Sequence, residues 1–225
     1  MKHIIMTAAI VLAALSACNF SATGSNGSTS TSGTGGTRTE NLAPFDALTV
    51  NIPVEITYET GDPKIVIVAS DKYMDHIIVE QEGESVVIKS DDKKIRAFKD
   101  VKIYVTSDRL SELTVNGAVD MECKGGLKAV RDLTVTLNGA ADVEICGVEA
   151  ENIEVKCNGA ADIELEAIAA RSIDVTINGA GDVTLEGTVD KAVLSINGAG
   201  DIDARRLAAA IIRPSVRGVG SIRTE

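Results

Sequence analysis

The sequence predicts an all-β fold: a single-stranded parallel β-helix, right-handed, with coils of about 20 residues. Three observations predict it. An Asn-Gly-Ala-x-Asp motif recurs with its Asn at positions 116, 138, 158, 178 and 197, which is a solenoid period. Apolar and polar residues alternate on both sides of each Asn-Gly, as in Leu133, Val135, Leu137 and then Val143, Ile145, so each unit reads as two short strands with one buried face. No ten-residue helical stretch separates the units and no Leu-x-x-Leu-x-Leu frame is present, which excludes helical and leucine-rich repeats.

In chain order, residues 1–17 read as a secretory leader. Lys2 and His3 precede the apolar run Ile4 to Ala14, which is too short to span a bilayer. Residues 18–40 are almost entirely Ser, Thr, Gly and Asn, cannot bury apolar area, and read as a mobile tether with a reach of roughly 25 Å. Residues 41–225 form the β-helix domain. Its first part, 41–110, lacks the motif but has strand-like runs such as Val54 to Tyr58, Lys64 to Val68 and Val101 to Val105, separated by turns at Gly61-Asp62-Pro63 and Glu82-Gly83-Glu84. These read as irregular first coils that hold most of the aromatics as a cap, since terminal repeats are atypical, with a separate small β-domain as the alternative. Residues 111–225 carry the repeats, and the last unit, Arg217-Gly218-Val219-Gly220-Ser221, is decayed.

Composition narrows the function. The 225 residues carry a net charge of -11, 3% aromatics and no Trp, which disfavours nucleic-acid backbones and ligand sites built on ring stacking. His3 lies in the leader and His76 stands alone, so no zinc cluster or set of His acid/base groups can be assembled.

Leu15-Ser16-Ala17-Cys18 after the apolar run resembles the bacterial lipobox, which implies cleavage before Cys18 and acylation of its thiol. The Asn-Gly-Ala-[Ala/Gly]-Asp units behind this leader resemble the bacterial auto-transporter adhesin family with a head GIN domain, from about Phe45 to the C-terminus. The resemblance implies a parallel β-helix on a secreted or lipid-anchored envelope protein, placed at the outer membrane. Two features depart from it: the last unit has lost Asn and Asp, and no acidic run follows Cys18.

The repeat produces columns of chemistry. Asp120, Asp142, Asp162, Asp182 and Asp201 would stack at about 4.8 Å, where like charges repel by roughly 1 kcal/mol in water. Cation sites would offset this, but the period lacks the dense Asp/Gly nonapeptide of calcium-binding β-rolls. The expectation is that each Asp accepts backbone N–H bonds across its own corner, with no metal and no cofactor. Asn116, Asn138, Asn158, Asn178 and Asn197 are expected to form an asparagine ladder. Gly117, Gly139, Gly159, Gly179 and Gly198 are expected to supply positive φ at that corner. Cys123 aligns with Ile145 and Cys157 with Leu137, so both are expected to be core filler, whereas Cys146 falls just past a strand.

No residue is assigned a catalytic role. The expected function is a lipid-anchored envelope module, binding or structural, that presents flat β-helix faces to an envelope or host protein or a glycan. Its membrane contact is the lipid anchor, and nucleic acid is excluded. The alternative is a polysaccharide lyase or hydrolase on the same scaffold, which would need clustered carboxylates and a basic residue in one irregular coil.

Overall fold

The computed structural model describes residues 35–91, 98, 100–129 and 131–224; the leader, Cys18 and the tether up to residue 34 lie outside the described residues. The predicted period-two alternation becomes a nearly all-β solenoid of about 6 turns with coils about 20 residues apart. Its N-terminal part contains β1 (Gly36–Asn41), β2 (Ala47–Val50), β3 (Val54–Thr60), β4 (Lys64–Ala69), the short helix α1 (Asp71–Met74), β5 (Ile77–Glu82), β6 (Ser85–Ser90) and β7 (Lys102–Ser107). The repeats supply β8 (Glu112–Val115), β9 (Ala118–Lys124), β10 (Leu127–Lys128), β11 (Asp132–Leu137), β12 (Ala140–Glu149) and β13 (Asn152–Cys157). They continue as β14 (Ala160–Ile177), β15 (Val183–Ile196), β16 (Ile202–Val216) and β17 (Ile222–Arg223).

In the repeats most strand residues meet their counterparts one coil away, with register shifts between Leu165 and Ile168 and between Thr184 and Glu186. Leu133 pairs with Ile153, Val135 with Val155 and Leu137 with Cys157 between the parallel strands β11 and β13. Val143 likewise pairs with Ile163 between β12 and β14. These residues are all buried, so the core is a set of parallel stacks of aliphatic side chains. Each such side chain contributes about 1.5–3 kcal/mol of burial, and each coil's burial depends on its neighbours.

The first part departs from the expectation of simple leading coils. β2 lies parallel between β6 and β8, and β3 lies parallel between β7 and β9, so the first coil in sequence is second in space. Antiparallel pairing also enters: β4 pairs with β7 and with β1, and β5 forms a hairpin with β6. The reason is connection length. The turns at Gly61-Asp62-Pro63 and Glu82-Gly83-Glu84 are short enough to reverse the chain, whereas a parallel neighbour needs a crossover. Residues 36–40, expected to belong to the tether, instead form with Asn41 the strand β1, which alternates in burial and is held on β4.

The aromatics gather in this part, as their sequence positions suggest. Phe45 and Tyr58 are fully buried, and the rings of Tyr73 and Phe98 meet at 5.5 Å. The Ser107 hydroxyl lies 2.6 Å from the Phe45 carbonyl and 2.8 Å from that of Arg109, while the Tyr58 hydroxyl donates to the Ser107 carbonyl at 3.3 Å. Burial pushes the Tyr58 phenol well above its ordinary pKa, so it stays a neutral donor.

Several repeat units have a second corner, away from Asn-Gly. There Gly125, Gly126 and Gly147 have positive φ, and Ala167, level with Gly147, takes the same role at φ 50°; Gly187, at φ 140°, is instead in register with Ile168, whose backbone leaves no room for a Cβ. A left-handed conformation costs an L-residue roughly 1–2 kcal/mol, so Ala167 is the strained member of this corner.

Candidate functional site

The Asn-Gly corner carries the repeat's chemistry. Nδ2 of Asn138 donates to Oδ1 of Asn116 at 2.8 Å, Asn158 to Asn138 at 2.9 Å, Asn178 to Asn158 at 2.9 Å, and Asn197 to Asn178 at 3.0 Å. The ladder extends one step further than the motif, because Asn116 donates to Asn51 at 2.7 Å. Sequence reasoning missed Asn51 because no Gly follows it. The signal was present in Leu48-Thr49-Val50-Asn51, which matches Leu113-Thr114-Val115-Asn116.

The glycines of this corner do not have positive φ, contrary to expectation; those at 117, 139, 159, 179 and 198 are all outside that region. Their role is space. A Cβ on Gly139, Gly159, Gly179 or Gly198 would sit on the carbonyl oxygen of the glycine one coil below, far inside the 3.0 Å that real Cβ atoms respect. That carbonyl accepts the N–H of the following Ala, as in Ala160 to Gly139 at 3.0 Å, so it cannot swing away without breaking the ladder. Positive φ occurs two residues later instead, at Gly181 and Gly200, where the units carry Gly in place of Ala141 and Ala161.

Beyond the glycines the small side chains leave a groove of about 980 Å³ along the solenoid. Its lining includes the alanines at 118, 140, 160 and 180, with Asp120, Asp142 and Asp162 beside them. Pro53, Phe98 and Val101 also line it, together with Glu55 and Lys102, whose ion pair measures 2.7 Å. The hydrogen bond and charge of Glu55 raise the pKa of Lys102, keeping it cationic.

The Asp residues stand in register between β9, β12 and β14. Their hydrogen bonds run between coils, not across the same corner as expected. Asp162 accepts from the N–H of Asp182 at 3.2 Å, and Asp182 from that of Asp201 at 2.8 Å. Asp201 accepts from the N–H and hydroxyl of Ser221, which with Arg223 lowers its pKa. The cause is local: β15 begins only at Val183, so the N–H of Asp182 is outside the strand and free for the carboxylate beneath.

A second acidic row, Glu122, Glu144 and Glu164, runs alongside on the same strands. Partial burial and then Glu122, Glu164, Glu166 and Asp142 raise the pKa of Glu144. Lys124 pairs with Glu122, and Arg206 reaches Glu164, Glu166 and Glu186. Elsewhere, His76 contacts Asp91 at 3.0 Å on a partly exposed surface. Cys123 and Cys157 are buried free thiols and Cys146 is an exposed one, and burial pushes Cys123 up to about 12. Among the described residues, no three His, Cys, Asp or Glu side chains are gathered as metal ligands.

The repeated geometry agrees with a sequence comparison: the profile of the family described as "putative auto-transporter adhesin, head GIN domain" matches residues 44–225. The chain belongs to this family. No curated protein shows significant similarity to it. Among solved structures, a "putative adhesin" from Bacteroides fragilis is 20% identical with a TM-score of 0.66, over 84% of this chain and 96% of that one. A "putative adhesin" from Parabacteroides distasonis is also 20% identical with a TM-score of 0.75, over 85% and 82%. A "putative lipid binding protein" from the same species is 18% identical with a TM-score of 0.54, over 85% and 97%. At these identities the likeness is one of fold.

Proposed function

We propose that this head GIN domain protein is a lipid-anchored envelope module, acylated at Cys18 and held at the outer membrane, that binds a macromolecular partner along the flank of its solenoid. The observation that carries the reading is the distribution of its chemistry. Carboxylates, amides and alanine methyls recur once per coil beside one long groove, so contacts can be repeated along an extended protein or glycan. A hydrolase or lyase would instead use a local set in which an acid, a base and a cation converge. The family description and the adhesin names of structural relatives support the same direction.

The test has two arms. In cells, Cys18→Ser is expected to abolish incorporation of a fatty-acid analogue and move the protein out of the detergent phase; equal labelling of the variant would refute the anchor. On glycan and matrix-protein arrays, the domain is expected to bind without turnover, and Asp142→Lys with Asp162→Lys is expected to change the pattern. Cleavage of a polysaccharide that disappears on mutating one carboxylate cluster would establish the enzyme instead.

A further inference from the structure

The order of coils in space bears on how an anchored protein carries load. Residues 47–60 form the first coil in sequence, yet they are gripped on both sides by coils that follow them. β2 pairs over Ala47–Val50 with Ser85–Ile88 on one side and Glu112–Val115 on the other. β3 pairs over six positions with β7 and over six with β9. Leu48, Val50, Ile56 and Tyr58 from these two strands are buried to within 1% of full burial, and Asn51 joins the asparagine ladder through Asn116.

Ahead of this coil stands β1, attached to β4 by six antiparallel pairs. The Arg38 guanidinium hooks β1 to the cap, donating to the Met74 carbonyl at 2.9 Å and to the Ile77 carbonyl at 2.6 Å, with Glu40 at 3.0 Å from Nε. A segment near the start of a folded domain ordinarily frays first, because few contacts hold it. Here the order of burial is reversed.

We propose that β2–β3 is a mechanical clasp, which passes tension arriving from the N-terminal side into the second coil of the stack, where coils hold it on both sides. Withdrawing residues 47–60 requires both strands to slide past parallel partners on two edges and around the corner that joins them. It also separates β6–β7 from β8–β9, so the segment cannot leave while the solenoid stays whole. A terminal coil in spatial order would instead peel from one edge. The inference rests on the anchoring reading for its biological use, but the clasp itself is a property of residues 36–60.

The experiment is single-molecule extension of residues 19–225, held by one tag ahead of residue 19 and a second tag at the C-terminus. The attachment is chemical, so the result does not depend on acylation, and failure of the Cys18 labelling test leaves it interpretable. The expected trace releases residues 47–60 only together with solenoid coils. Arg38→Ala is expected to lower the force at which β1 leaves without changing that joint rupture. A separate early step of roughly 85 Å, the extended length of residues 36–60, followed by an intact solenoid, would overturn the clasp. Hydrogen exchange provides the second readout without force. Amides of Leu48, Val50, Ile56 and Tyr58 are expected to exchange within tenfold of those of Leu133 and Val135. Exchange a hundredfold faster would overturn the proposal as well.

Discussion

The two corners of the repeat units both use glycine, and they use it for different physical reasons. At the Asn-Gly corner the backbones of successive coils approach so closely that no Cβ fits, although the glycine's own dihedral angles are ordinary. At the second corner Gly147 has φ of 83° and its Cβ would meet the Gly126 backbone no closer than 3.2 Å, while Ala167 already serves in the same place. The Asn-Gly corner is limited by space between coils, whereas Gly147 is set by conformation within its own coil. Space cannot be relieved locally, because moving one backbone displaces the next, whereas a dihedral penalty is confined to its own residue.

The comparison is broken most directly at Gly159. Gly159→Val, and Gly159→Ala nearly as much, is expected to cost more than about 4 kcal/mol, because even a single methyl overlaps the Gly139 carbonyl. Circular-dichroism melts should show the variant unfolded or melting far below the parent. A loss of only about 1 kcal/mol would mean that coil spacing relaxes and that the two corners are alike. Gly147→Ala tests the other side and is expected to cost about 1–2 kcal/mol, the penalty for left-handed backbone with a tolerable contact.

Ala167→Gly sharpens the contrast from the opposite direction. It should relieve φ of 50° and stabilise by about 0.5–1 kcal/mol, after the entropy that glycine adds to the unfolded chain is set against the strain. Destabilisation in chemical denaturation would show that the Ala167 methyl contributes packing that outweighs its strain.

These corners also mark where the sequence was readable. The period, the inward aliphatic stacks and the Asn column follow from alternation and recurrence, which depend on short-range pattern alone. The role of the glycines did not follow, because Asn-Gly is also a common turn pair and the distance between coils is not written in either residue. The Asp partners were misjudged for a related reason: the N–H of Asp182 is free only because β15 starts late, a detail of one coil set against the next. The insertion of β2–β3 between later coils was the least readable feature, since β2 and β3 pair with partners more than 30 residues further along the chain. Only the likeness of Leu48-Thr49-Val50-Asn51 to Leu113-Thr114-Val115-Asn116 hinted at it.

The smallest expected effect concerns the acidic rows outside the Asn-Gly corner. Glu144 lies between Glu122 and Glu164, and burial together with those neighbours raises its pKa in the folded state. The folded protein therefore holds the Glu144 proton to higher pH than the unfolded chain does. Its contribution to stability is present below the ordinary Glu range and is lost as pH rises through the unfolded and then the folded pKa. Glu144→Gln removes the repulsion that replaces it, so the variant should be slightly more stable than the parent at pH 7, by less than about 0.5 kcal/mol for so exposed a site. The difference should vanish or reverse near pH 4, and added salt should shrink the gain at pH 7 by screening the row. Asp201 and Asp203, whose pKa values are lowered by Ser221 with Arg223 and by Arg205, oppose this trend, because they favour the folded state above the ordinary Asp range. Parent and variant must therefore be compared at each pH, and the difference between their melting curves isolates Glu144. A variant less stable than the parent at pH 7 would mean that the carboxylate row is held by favourable contacts and is not a tolerated repulsion.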